Sequence, residues 1–83
     1  MARVLLNTLF ITTEGAFARL DGESVRVDAN NQRLLQVPLH HLGSIVLFGG
    51  AGMSSHLMMR CADDGREVTL LDYSGRYRAR LVG

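Results

Sequence analysis

The sequence predicts a small, mainly β (α+β) domain: an antiparallel β-sandwich or sheet of about seven short strands carrying one α-helix over residues 54–64. Three observations predict it. The chain has 83 residues, enough for one domain with a thin core, since a chain this short buries only ~60% of its unfolded surface. Turn pairs at Asp21-Gly22, Asn30-Asn31 and Ser74-Gly75 separate short, β-branched or alternating runs. One segment alone, beginning at Ser54, has helical spacing between capping residues.

In chain order, Leu5 to Thr12 reads as a first strand and Ala16 to Asp21 as a second, after Glu14-Gly15. Asp21-Gly22 turns into Ser24 to Asp28, where Val25 and Val27 alternate with polar neighbours. Asn30-Asn31, residues that tolerate positive φ, leads into Arg33 to Val37, stopped by Pro38. Pro38 to Ser44 is a helical turn. Ser44 to Phe48 is a nearly unbroken apolar strand, the pattern of a strand covered on both faces. In the helix, Leu57, Met58, Cys61 and Ala62 form one apolar stripe; Ser54 caps its start and Gly65 its end. Arg60 lies within reach of Asp63 and Asp64. Val68 to Leu71 is a second buried strand, and Ser74-Gly75 turns it into Arg76 to Leu81.

Composition is that of an ordinary globular protein, 47% hydrophobic and 20% charged with a formal net charge of +1. That balance argues against a highly basic nucleic-acid arm and leaves room for a local basic face. All 9 basic residues are arginine, so every cation is a planar fork suited to phosphate or carboxylate. Cys61 is the single cysteine, which rules out an internal disulfide and points to a reducing, cytoplasmic setting. The apolar run Val4-Leu5-Leu6 is broken at once by Asn7 and Thr8, so no signal peptide is expected, and no apolar run approaches the ~20 residues of a membrane span. Met1 reads as a genuine start, whereas Gly83 closes no recognisable element; a fragment cut at a domain boundary is expected.

The glycine-rich stretch from Leu47 to Leu57, LFGGAGMSSHL, has the outline of a phosphate cradle. A Walker A loop needs a lysine, and a dinucleotide fingerprint needs a third glycine where Ser55 stands. What remains is a tight joint letting the helix fold back on its strand, or a DNA phosphate resting on the N-terminus at Ser54 and Ser55. His40, His41 and His56 lack partners at ligand spacing; adjacent histidines on a turn point in different directions. Cys61 lies on the apolar stripe as a small core residue. Asp21, Glu23, Asp63 and Asp64 occupy turns and a helix end, and no catalytic constellation assembles. The pattern above background is GRYRARL, Gly75 to Leu81. A period of two puts Arg76, Arg78 and Arg80 on one face and Tyr77, Ala79 and Leu81 on the other. Those arginines either follow a phosphate backbone or protect an edge strand by charge.

The segments Leu5 to Glu23, Val37 to Gly65 and Val68 to Gly83 together resemble the N-terminal domain of the CRISPR-associated endonuclease/integrase, the universal adaptation protein, closest to subtype I-C members. The order of elements carries the likeness: hairpin strands, the V-P-L-x-x-L-x-x-I-V-L-F-G segment, one helix ending at glycine, then a strand with a Ser-Gly turn. The resemblance implies residues 1–83 as a β-rich domain that joins, in the family, to an all-helical C-terminal domain holding the metal ligands. The expectation is therefore a non-catalytic chain with no cofactor of its own, Mg²⁺ or Mn²⁺ belonging to the full-length family. It further implies a homodimer through this domain, a smaller adaptation partner protein, no membrane, and contact with double-stranded DNA bearing single-stranded ends. Arg76, Arg78 and Arg80, with Ser54 and Ser55, are the expected DNA-contacting residues. Some family members carry a tyrosine wedge near the end of the first strand. Here that region reads Ile11-Thr12-Thr13-Glu14, so stacking falls to Phe17 or to a group the sequence does not assign. A purely structural self-association domain is the alternative.

Overall fold

The computed structural model describes residues 2–82. The predicted first strand, Leu5 to Thr12, holds only the turn and second arm of a hairpin: β1 (Ala2–Leu5), which the sequence did not signal, and β2 (Thr8–Ile11) pair antiparallel around Leu6-Asn7. Sequence reading missed this turn because Leu6 takes φ 58°, a conformation that leucine adopts at a cost of roughly 1–2 kcal/mol and that glycine or asparagine would have signalled. The following meander is as expected. β3 (Phe17–Asp21), β4 (Ser24–Ala29) and β5 (Gln32–Pro38) pair antiparallel in succession. Asn30 and Asn31 both sit at positive φ, 53° and 62°, the geometry of the tight turn that suits strand twist. Pro38 ends β5 from inside it, opposite Ser24, which an edge strand tolerates. A helical turn over Leu39–His41 follows and buries Leu39.

β6 (Ser44–Phe48) then enters the other sheet, β7 (Gly52–Met53) returns to the first, and α1 (Ser55–Asp63) leads to β8 (Glu67–Leu71) and β9 (Tyr77–Leu81). The strands form a five-stranded sheet, β1-β2-β6-β8-β9, and a four-stranded sheet, β5-β4-β3-β7. The described residues thus hold nine strands, against the seven or so expected, and one α-helix. The mainly β, two-sheet class stands; the purely antiparallel arrangement does not. β2–β6, β6–β8 and β3–β7 pair in parallel. Parallel neighbours need long crossovers, and the chain supplies them: the β3–β5 meander lies between β2 and β6, and β7 with α1 lies between β6 and β8.

The core fills the space between the sheets. Leu9, Ile11, Ile45, Leu47 and Val68 point in from one sheet, and Ala18, Val25, Val27 and Ala29 from the other. Leu57 and Cys61 seal it from α1, both at 0% exposure. The predicted helical stripe is narrower than expected, since Met58 is 37% exposed. On β6 the faces differ: Ile45 and Leu47 are buried, while Ser44, Val46 and Phe48 are half-buried. No polar or charged residue is buried among those described, so sandwich cohesion is apolar.

Candidate nucleic-acid interface

The hairpin of β8 and β9 is built around Asp72. Its Oδ1 accepts from the Ser74 N–H at 3.0 Å, the Ser74 hydroxyl at 2.8 Å and the Arg76 N–H at 2.9 Å. Gly75, at φ 85°, completes the predicted turn. Those hydrogen bonds, led by the Ser74 hydroxyl, hold the Asp72 carboxyl below its ordinary value. β9 leaves this turn as an edge strand with Arg76, Arg78 and Arg80 exposed.

The three arginines do not share one face. Leu70 pairs with Ala79 but Leu71 with Tyr77, so Arg78 is the extra residue of a β-bulge. The bulge resets the alternation. Arg80, opposite Thr69, and Tyr77, opposite Leu71, lie on the outer face of the five-stranded sheet. Arg78 instead lines a groove of about 250 Å³ with Leu47, Ala51, Leu70 and Tyr73. Two of the guanidiniums have carboxylate neighbours: Arg80 Nη2 lies 3.0 Å from Glu67 and Arg76 Nε 3.5 Å from Asp72. Exposed pairs of this kind are worth ~0–1 kcal/mol, so a phosphate can displace either carboxylate.

Ser54 and Ser55 contribute unequally. The Ser54 hydroxyl accepts the Leu57 N–H at 3.1 Å, and its own N–H donates to the Ala18 carbonyl at 2.8 Å. Ser54 is thus engaged within the fold as the predicted N-cap, while Ser55 is exposed at the first turn. The glycine-rich joint does something other than fold α1 back on β6. It carries the chain between sheets: the Gly52 N–H donates to the Ala16 carbonyl at 2.9 Å, adding β7 beside β3. Gly49, at φ 56°, lies under the Tyr73 ring, and a Cβ there would come within 2.7 Å of it. Tyr73 in turn donates from its hydroxyl to Glu14 Oε1 at 3.2 Å, which pushes the phenol pKa up.

Other polar residues serve the fold. Arg60 bonds Glu23 through both terminal nitrogens, at 2.7 and 3.1 Å, and Asp64 through Nε at 2.9 Å, bracing α1 to the β3–β4 turn. Its near partner is Asp64 and not Asp63, with Glu23 a long-range partner that spacing along the helix did not reveal. Arg66 pairs with Asp64 and donates to the Leu42 carbonyl at 2.8 Å. Arg60 lowers the carboxyl pKa of both Glu23 and Asp64, chiefly by hydrogen bonding, and its own pKa is raised in return. Burial pushes the Cys61 thiol up, the opposite of what a nucleophile needs. His40 and His41 meet edge to face, ring centroids 4.4 Å apart, so adjacent histidines on this turn converge instead of diverging.

The family model for CRISPR associated protein Cas1 matches residues 9–83. The chain belongs to the Cas1 family. It is 45% identical over 80 residues to a CRISPR-associated endonuclease Cas1 of Moorella thermoacetica, covering 96% of this chain and 23% of that protein. A second Cas1 endonuclease, from Rhodospirillum rubrum, is 46% identical over 79 residues, with coverages of 95% and 23%. The chain therefore spans about a quarter of the length of these curated relatives. A CAS1 protein from Thermotoga maritima matches with TM-score 0.78 at 10% identity, covering 93% of this chain and 24% of that one. The Cas1 of a TtCas1–DNA complex matches at 0.74 and 17% identity, covering 93% and 29%. A partial Cas6-RT-Cas1–Cas2 complex matches at 0.82 and 18% identity, covering 89% and 22%. At such identities the structural likeness shows the Cas1 N-terminal fold.

The metal that the family implies does not fit this Cas1 domain. Among the described residues no group of three or more histidine, cysteine, aspartate or glutamate side chains can hold an ion, and Glu23 and Asp64 are committed to arginines. No helix here is long and apolar enough to cross a membrane.

Proposed function

We propose that this chain is the N-terminal platform of a CRISPR adaptation integrase, lying against the phosphate backbone of duplex DNA through β9 and pairing with a second copy. The single observation that carries the DNA role is an exposed edge strand bearing Arg78 and Arg80, with exposed Arg76 at the turn leading into it, on a Cas1-family domain. Forked guanidiniums at the turn, on the bulge and on the outer face offer phosphate contacts at successive steps along one strand. Ser55 at the start of α1 is a further contact in the same reading. The named neighbours, a Cas1–DNA complex and Cas1–Cas2 complexes, support DNA and the smaller adaptation protein as partners. Subtype I-C rests on the order of motifs in the sequence. Metal-dependent cutting belongs, in this reading, to other parts of the full-length family, in a cytoplasmic setting.

Duplex binding measured against salt tests the platform. Each phosphate contact contributes about −0.9 to the slope of log K against log[salt]. The Arg76→Gln/Arg78→Gln/Arg80→Gln variant should lose affinity and flatten that slope by about 2–3. An unchanged slope in the triple variant refutes the β9 assignment. Incubation of the wild type with Mg²⁺ or Mn²⁺ in the same assay should leave the duplex uncut.

A second reading, self-association alone, is favoured by one specific observation. The outer face of the five-stranded sheet carries Phe10, Val46, Phe48 and Leu71, all only half-buried. A dimer with no DNA affinity at low salt would favour it over the platform.

A further inference from the structure

The four-stranded sheet carries a second arginine cluster on its outer face, remote in sequence from β9. Alternation sends Ala18, Val25 and Val27 inward, so the residues between them line up outside in rows across the strands. In one row Arg19 stands opposite Arg26, and Arg26 opposite Gln36; in the next, Phe17 stands opposite Asp28, and Asp28 opposite Arg33. Like charges placed directly opposite destabilise a sheet. The Arg19–Arg26 pair therefore needs an anion, and Asp28 supplies one carboxylate, 3.8 Å from Arg19 Nε and 3.1 Å from Arg26 Nε. Arg33, exposed, is a third guanidinium beside the same acid. Asp21 lies at the far end of the face, with Gln36 Nε2 3.4 Å from its carboxylate. Three cations thus share one acid.

Asp28 does not exhaust the forks. It is met through Nε in each case, which leaves the terminal nitrogens of Arg19 and Arg26 without a hydrogen-bond partner among the described residues. The carboxylate lies low, its side chain 18% exposed, while Arg19 and Arg26 rise over it at 53% and 38%. The Phe17 ring steadies Arg19, whose guanidinium carbon is 5.6 Å from the ring centroid. Both forks are therefore positioned before any ligand arrives, which lowers the cost of binding one. They border a groove of about 390 Å³ that Gly15 and the Asn30-Asn31 turn also line, within the ~300–1,000 Å³ of small-ligand sites. Asn30 and Asn31 bring neutral amide donors to it.

We infer that this groove binds a compact polyphosphate, a chain of linked phosphates such as inorganic polyphosphate or the tail of a nucleoside triphosphate, held by Arg19, Arg26 and Arg33. Guanidinium forks take phosphate oxygens two at a time. A linked chain concentrates several negative charges in a small volume, which answers the surplus of cations over Asp28. A duplex backbone fits less well, because its phosphates follow a rod whereas these forks converge on one carboxylate in a concave face. The inference does not depend on the role of β9.

Calorimetry tests it, with the 83-residue chain titrated at low salt and without divalent metal. Tripolyphosphate and ATP should bind one per chain, and AMP, with a single phosphate, roughly 10-fold or more weakly. Arg19→Gln and Arg26→Gln should each weaken tripolyphosphate by roughly 10-fold, the loss of a charged hydrogen-bonding fork. Arg26→Lys keeps the charge without the fork and should weaken it as well. The Arg76→Gln/Arg78→Gln/Arg80→Gln variant should bind tripolyphosphate as the wild type does. Thermal melts show that each variant is folded, and in the wild type Tm should climb with tripolyphosphate concentration. Tripolyphosphate binding as tightly as ATP, or tighter, assigns the site to the inorganic chain; tighter ATP assigns it to the nucleotide. No binding of either polyphosphate overturns the inference, and so does affinity that survives Arg19→Gln and Arg26→Gln but vanishes in the β9 variant. Displacement of tripolyphosphate from the β9 variant by a blunt duplex overturns it in favour of DNA. Polyphosphate binding beside an unchanged duplex salt slope in the β9 variant refutes the platform alone.

Discussion

Leu6 and Gly49 both hold positive φ, 58° and 56°, and they respond oppositely to substitution. Leu6 is 95% exposed and gains nothing from packing, so its left-handed backbone is uncompensated. Leu6→Asn should raise stability by about 1 kcal/mol, since asparagine visits that region readily, which is ~4–8 °C in Tm for a domain of this size. Gly49→Ala brings both the backbone cost and a Cβ within 2.7 Å of the Tyr73 ring. Tyr73 is 74% exposed and can swing aside, so the backbone term dominates and the loss should be ~1–2 kcal/mol. Thermal melts of both variants check the signs. Of the two, only the glycine was legible, because sequence marks a turn by residues that favour it and Leu6 does not.

At the scale of elements, α1 shows how local and distant signals divide. Its ends were written in Ser54 and Gly65, which cap it as expected, the latter at φ 74°. Its attachment was not, because Glu23 lies 37 residues from Arg60. The Arg60 brace makes a prediction about acid. Glu23 and Asp64 carry lowered pKa values, so their contribution is full above the ordinary carboxylate range near ~4 and is lost as pH falls through the lowered values. Tm should therefore fall as pH drops below the ordinary carboxylate range near ~4, and Glu23→Gln should lower Tm at neutral pH while shrinking that fall. An equal fall in both proteins would show that Glu23 takes no part. β9 is the other instructive element. Alternation predicted one arginine face, and a single bulge at Arg78 redistributed it, since a bulge arises from pairing with β8 and leaves no mark in the residues of β9.

For the whole molecule, the thin core concentrates stability in few side chains. Leu57 and Cys61 are the helix's buried contribution, both at 0% exposure, and Leu57→Ala should cost about 2–5 kcal/mol, a large share of the ~5–15 kcal/mol typical of a domain. Urea denaturation measures the loss. The Cys61 thiol, buried and pushed up in pKa, reports the same opening: its labelling rate should rise steeply in Leu57→Ala. Rapid labelling of the wild-type protein would contradict a sealed core. The candidate surfaces follow from the same architecture. Two sheets packed inward leave two outward faces, one edged by the β9 arginines and one carrying Phe17 with Arg19 and Arg26.

By itself the sequence determined the class, the β3–β5 meander, the helix with its caps, and the family likeness, because turn chemistry, alternation and capping act over a few residues. The surplus of arginine forks was equally plain from composition. Only the tertiary structure decided the parallel pairings, the passage of the glycine-rich joint from one sheet to the other, the Glu23–Arg60 brace and the meeting of Arg19 with Arg26 under one carboxylate. Each of these joins residues whose neighbourhood is set by which strand lies beside which, and that choice is made by burial of the shared core, not by any signal within the segments themselves.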